Sequence, residues 1–288
     1  MTHPRERKPT PAELGLTVTV GIVALSQSEG CFVAVTDQML SYSDVFQAVD
    51  QGAKKTLKIA EDWHMNFAAT DVTVVPRIFF AIRSSLRPLS DVRLTTEQVQ
   101  RAVETAYKEV FHAHFVETHL ARFGYSSMDE FRREGRKDLD DDFSDYLTKL
   151  AKYDLGVELT IFGFNDSGRP RLFEVVNPGR IVHIAVQGFS VVGTGYNMAV
   201  HSLRRKPLPH SSDELIYRAL EAKFSAETAT GVGPSTTAVV VTKDAAYQMP
   251  DEDIEAIKQV WKATLTEPTP SAALEVIGKF QRTAQPGA

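Results

Sequence analysis

The stretch "LTVTVGIVAL" (16–25) decides how the rest of the chain is read. Its core is β-branched and apolar, the composition of a buried strand. "SQSEG" (26–30) follows as a turn and "CFVAVTD" (31–37) as a second strand, so the pair predicts a hairpin. "LSYSDVFQAVDQGAKK" (40–55) reads as a polar connection, and "KTLKIAED" (55–62) and "WHMNFAAT" (63–70) as two further strands.

After Asp71 the apolar period lengthens. "VTVVPRIFFAIRSSL" (72–86) predicts a helix whose first turn can hold Pro76. Thr95 to Gln98 is a capping-box start for a long helix with Val99, Val103, Ala106, Val110 and Phe111 near one face. Ser127 to Glu130 is a second capping box, opening a charged segment that runs to about Leu155. "VELTIFGFND" (157–166) and "RPRLFEVVNPG" (169–179) predict a strand pair, and "IVHIAVQGFSVVGTG" (181–195) one or two strands more. Two helices (197–206 and 211–228), a strand expected to be buried on both faces (235–244) and a last helix (251–265) complete the order. Hairpins alternating with helix pairs argue for an α+β protein: two packed antiparallel sheets covered by helices on both outer faces.

The 288 residues suffice for one large domain or two small ones, and 43% hydrophobic and 24% charged residues are ordinary for a globular chain. The net charge of −5 gives no basis for nucleic-acid binding. Cys31 is the only cysteine, which fits a reducing, cytoplasmic setting and reads as a small core residue. No apolar run approaches the ~20 residues that span a bilayer. The basic, proline-rich start and Ala24-Leu25-Ser26 imitate a signal peptide, but the β-branched pattern runs straight past that site. The expected organisation is a flexible leader at 1–16, one domain at 17–265 with a helical insert at about 118–155, and a loose tail at 266–288.

Thr17-Val18-Thr19-Val20-Gly21-Ile22 resembles the start of the mature chain in the proteasome β-type family of N-terminal-nucleophile hydrolases, Thr-Thr-Thr-Val-Gly-Ile. The family's strand-end acid matches Asp37, and its lysine before the third strand matches Lys55. The turn into its first helix resembles Met65 to Ala69, its Gly-Ser-Gly resembles Gly193-Thr194-Gly195, and the motif before its last core strand resembles Ala226 to Gly231. The similarity runs in order from about residue 17 to about 262 and is closest to bacterial stand-alone proteasome-like proteins.

The resemblance implies a four-layer αββα sandwich and a threonine protease or amidohydrolase that needs no cofactor and no metal. Thr17 would be the nucleophile, with its own α-amine as base. Such an amine has a pKa of about 7.7–8.0, and a charged Lys55 beside it would lower that value. Asp37 would hold the lysine, the Ala69 N–H would face the oxyanion, and Thr194, Glu227 and Thr230 would complete a hydrogen-bonding shell. Glycine usually precedes the family's threonine; here it is Leu16, and the sixteen residues ahead of Thr17 make its nitrogen an amide. Release of the amine needs self-cleavage, another protease, or a start at the Leu16 codon followed by loss of Met.

Other readings stand beside these. Thr17 is also a good strand residue, Lys54 and Lys55 a solvated pair, and Asp37 a turn residue. Asp71 either lines a pocket for a basic side chain or caps a helix. His112, His114, His119 and Glu117 do not share one helix face, so they do not read as a metal set. The insert is a lid, a docking element or a solvated elaboration. The function expected is cleavage of a peptide or amide through an acyl-enzyme in a self-associating protein. An unfoldase partner is left open, and no nucleic acid or membrane is expected. The alternatives are an inactive proteasome-like scaffold and a transacylase in which an amine replaces water.

Overall fold

The computed structural model describes residues 20–41, 48–50, 54–89, 91–140, 142–229 and 231–265. Its first sheet has five antiparallel strands in the order β10 (Phe189–Val192), β1 (Gly21–Ser26), β2 (Cys31–Asp37), β11 (Thr236–Thr242), β12 (Ala246–Gln248). The second runs β5 (Thr56–Ala60), β6 (Trp63–Ala69), β7 (Val157–Phe164), β8 (Pro170–Val176), β9 (Arg180–His183), also antiparallel. A small hairpin of β3 (Met39–Ser41) and β4 (Ala48–Asp50) lies in the stretch expected to be a plain connection. Three-residue strands are too short to show a period in sequence.

Strand alternation sorts the core into layers. Ile22, Ala24, Val33 and Val35 join one cluster with helices α5 (Tyr196–Arg204), α6 (Ser212–Ala226) and α7 (Asp251–Thr264). Their neighbours Val23, Leu25, Phe32 and Ala34 join another with Phe162, Phe164 and Leu172 of the second sheet. Successive side chains of a strand point to opposite faces, so a continuous apolar run can serve both a helix layer and a sheet layer. On its other face the second sheet gives Met65, Phe67, Leu159, Ile161 and Phe173 to a cluster with α1 (Val74–Leu86) and α2 (Thr96–Phe115). The result is an α+β sandwich, helices on sheet on sheet on helices.

The helix signals at α1 and α2 act as read, and that at Ser127 to Glu130 differs in one contact. Pro76 sits in the first turn of α1, where its missing N–H has no intrahelical partner to lose. Thr95 and Gln98 close a capping box at 3.2 and 2.8 Å. At α3 (Met128–Leu139) Ser127 Oγ accepts from the Glu130 N–H at 3.1 Å. The Glu130 carboxylate accepts from the Ser126 N–H and hydroxyl, one residue outside the expected box. β11 is buried on both faces only in part: Val239 and Val240 are half-buried where it pairs with the exposed edge strand β12.

The charged segment forms α3 and α4 (Asp142–Lys152), which close their own core of Phe131, Tyr146, Tyr125 and Met128 and join α2 through Phe115. Among the described residues no helix is long and apolar enough to cross a membrane.

Candidate active site

Asp37 ends β2, a strand paired on both sides, and is fully buried. A lone carboxylate there would be strongly disfavoured. Lys55, also buried, lies immediately ahead of β5 and places Nζ 2.8 Å from Asp37 Oδ1. The same oxygen accepts the Val20 N–H at 3.0 Å, and Asp37 Oδ2 takes a longer bond, 3.4 Å, from the Gly233 N–H. The Asp37 N–H in turn donates to the Val20 carbonyl. The start of the first strand is therefore tied to both the backbone and the side chain of Asp37.

Three further contacts define the same end of the sandwich. Gly195 leads into α5 with an ordinary φ of −71°, so its role is spacing: a Cβ there would meet Val20 Cβ at 2.9 Å and Ala226 Cβ at 3.0 Å. That packs the Gly193–Gly195 turn, the entry to β1 and the end of α6 against one another. Neither neighbour can swing away as a long side chain would. Gly195→Ala is expected to lower stability by about 1–3 kcal/mol, the usual range for overpacking, measured as a shift in the urea unfolding midpoint. Buried Asn66 bridges the sheets, its Nδ2 donating to the Ile22 carbonyl at 3.4 Å while its Oδ1 accepts from the Thr56 hydroxyl. Thr160, Ser190 and Glu174 form a second bridge; Ser190 donates to the Glu174 carboxylate at 2.7 Å, which leaves Thr160 the donor to Ser190 at 2.6 Å. Burial raises the pKa of Glu174, and the Ser190 bond opposes the shift.

Register places Ala69 at this end too. Ala68 and Ala69 pair with Glu158 and Val157 of β7, and Glu158 accepts the Gly193 N–H at 2.8 Å. Thr194 lies exposed in the turn before α5. Glu227 follows α6 as its C-cap and binds two lysines, Lys223 Nζ and, at 2.7 Å, Lys258 Nζ of α7. Burial lowers the pKa of Lys223, and its bond to Glu227 opposes the shift. Thr17 and Thr230 lie outside the described residues.

Neither Lys223 nor Lys258 emerged from the sequence. The signal at Lys223 was a lysine inside the apolar face of a helix with an acid, Glu227, four residues on, whereas Lys258 has Lys262 at that spacing; a lysine in either setting is usually solvated.

Asp71 is not the N-cap of α1. Its Oδ1 accepts from the Thr73 N–H and hydroxyl at 2.8 and 2.6 Å, and Thr73 is the N-cap of α1, so Asp71 shapes the turn ahead of the cap. Its Oδ2 lies 3.7 Å from His114 Nε2, and His114 Nδ1 bonds Tyr153 at the end of the insert. Glu117 pairs with Arg77 at 2.7 and 2.9 Å. Among the described residues no three His, Cys, Asp or Glu side chains are grouped to hold a metal ion. A groove of about 1150 Å³ lies at the far end of β6, along Lys58–Trp63 and the last turns of α1, away from the Asp37–Lys55 pair.

A scan of family models finds none that matches this chain, and no curated protein matches it in sequence.

Proposed function

We propose that the protein is a proteasome-like N-terminal-nucleophile hydrolase with the αββα fold of that family, and that Thr17 cleaves an amide or peptide bond. The observation that carries this reading is the buried Asp37–Lys55 pair bonded to Val20. Thr17 is three residues upstream of Val20, and three residues extend at most about 11 Å. That short separation along the chain supports the assignment of Thr17 to the centre held by Asp37 and Lys55.

The residues divide the chemistry as follows. The α-amine of Thr17, once free, takes the hydroxyl proton while Oγ bonds to the substrate carbonyl carbon. Lys55, held by Asp37, biases that amine toward its neutral form. The Ala69 N–H faces the developing oxyanion. As the C–N bond breaks, the leaving amine takes the proton and an acyl ester remains on Thr17. Water, activated by the same amine, then hydrolyses the ester. The roles proposed for Glu227, Thr194 and Thr230 are those of hydrogen-bonding groups for this centre, and Glu227 holds two lysines. The pair is built into the fold rather than displayed on the surface, which favours an enzyme over an inactive scaffold.

A threonine-directed electrophile tests the reading. Protein whose chain begins at Thr17 is expected to take up one equivalent on that residue, and Thr17→Ala none. Equal labelling of Thr17→Ala, or none of the Thr17-initiated protein, would leave the scaffold reading.

A further inference from the structure

We propose that Lys223 is a positioning residue that sets the Asp37 carboxylate for Lys55; this rests on the reading of that pair as part of the catalytic centre. Lys223 is fully buried on α6. An ammonium has three donors, and each finds an acceptor: the Glu227 carboxylate, the Gly233 carbonyl at 2.8 Å and the Pro234 carbonyl at 3.2 Å. Lys258 of α7 approaches from the other side, bonding Glu227 at 2.7 Å and the Pro234 carbonyl at 3.2 Å. Both lysines thus grip the segment between α6 and β11, and that segment's Gly233 N–H donates to Asp37 Oδ2.

The composition of the segment explains why it needs gripping. Glycine has no side chain to anchor and the widest backbone freedom. Proline has no N–H to donate. The carbonyls of Gly233 and Pro234 are therefore handles by which the segment can be fixed, and the two lysines take them. The carbonyl and N–H of Gly233 lie in adjacent peptide planes joined at its Cα, so holding the carbonyl narrows the directions open to the N–H that reaches Asp37. The link runs Lys258–Glu227–Lys223–Gly233–Asp37–Lys55, so the seating of α7 is coupled to the geometry of the ion pair. None of these contacts requires Lys223 to touch a substrate.

The test compares Lys223→Met and Lys258→Met with the parent protein, in chains that begin at Thr17. Lys223→Met leaves Glu227 paired with Lys258, so no carboxylate is stranded. Two readouts are taken: the rate and affinity terms of covalent labelling, and amide hydrogen exchange at Gly233. The expected result for Lys223→Met is a maximal labelling rate about 10- to 100-fold lower, the scale of a misplaced reacting group, with affinity for the electrophile unchanged. Gly233 exchange is expected to accelerate at least about tenfold, since exchange reports local opening. Lys258→Met shows the same pattern more weakly and carries the test should Lys223→Met not fold.

Folded variants with parental labelling rate and parental Gly233 protection overturn the proposal. So does a loss confined to affinity, which would put the lysines in substrate binding. Should the parent itself fail to label, the hydrolase reading falls. The exchange readout then still decides the positioning claim: faster Gly233 exchange in Lys223→Met sustains it, and unchanged exchange refutes it.

Discussion

Lys55→Met is expected to lower folding stability by about 3–5 kcal/mol, the range for stranding one member of a buried ion pair. Asp37 is fully buried, and the substitution removes a cation at 2.8 Å while leaving the carboxylate in place. The Val20 and Gly233 N–H groups still reach it, but amide donors do not neutralise its charge. Adding Asp37→Leu to Lys55→Met is expected to recover much of the loss, because replacing both members of a buried pair is often close to neutral. Urea unfolding of the single and double variants measures the coupling. The same Lys55→Met substitution in Thr17-initiated protein is expected to slow covalent labelling by at least about 100-fold, at the lower end of what proton-transfer catalysis contributes. A stability loss below about 1 kcal/mol would mean that the pair is solvated in solution and cannot tune an amine. A full stability loss with parental labelling would make it a structural pair only.

The second large effect concerns acid. His64 lies on β6, buried, stacked on Phe162 with ring centroids 5.6 Å apart, and its Nδ1 has no hydrogen-bond partner among the described residues. Burial, with a smaller push from Lys58, lowers its pKa from 6.5 to about 4. The folded state therefore resists the proton that the unfolded state accepts. Stability is full above about pH 6.5 and declines as pH falls toward 4, by roughly 3 kcal/mol in all. His64→Leu removes the titrating group and is expected to flatten that part of the stability-against-pH curve, with a gain over the parent at pH 5. A parent curve flat from pH 7 to pH 4.5 would mean that His64 finds a partner on protonation.

The fold was legible because its strands carry a two-sided pattern. In Ile22-Val23-Ala24-Leu25 and Phe32-Val33-Ala34-Val35 every position is apolar, and such runs need a layer on each side. Helix starts were legible where the signal is local, as in the Thr95–Gln98 box. Two local features stayed hidden. The β3–β4 hairpin is too short for a period, and the shift of Glu130 onto Ser126 depends on how the chain enters α3.

The candidate site divides the same way. Asp37 and Lys55 could be singled out by the resemblance of their segments to the proteasome β-type family, and the structure joins them across 18 residues of sequence. Lys223 and Lys258 could not, because nothing in "EAKFSAE" or "AIKQVW" says that these lysines are buried. Their burial follows from where α6 and α7 dock on the first sheet. Asn66 was likewise indistinct until β1 and β6 were seen to face each other with an Asn66–Ile22 bond between them.

The most direct test of the central claim is the intact mass and N-terminal sequence of the protein from its own host, taken with the site of covalent labelling. The account predicts a chain that starts at Thr17 and carries the electrophile on that residue. A native chain that keeps residues 1–16 and stays unlabelled would contradict it, since the hydroxyl would then have no amine to take its proton.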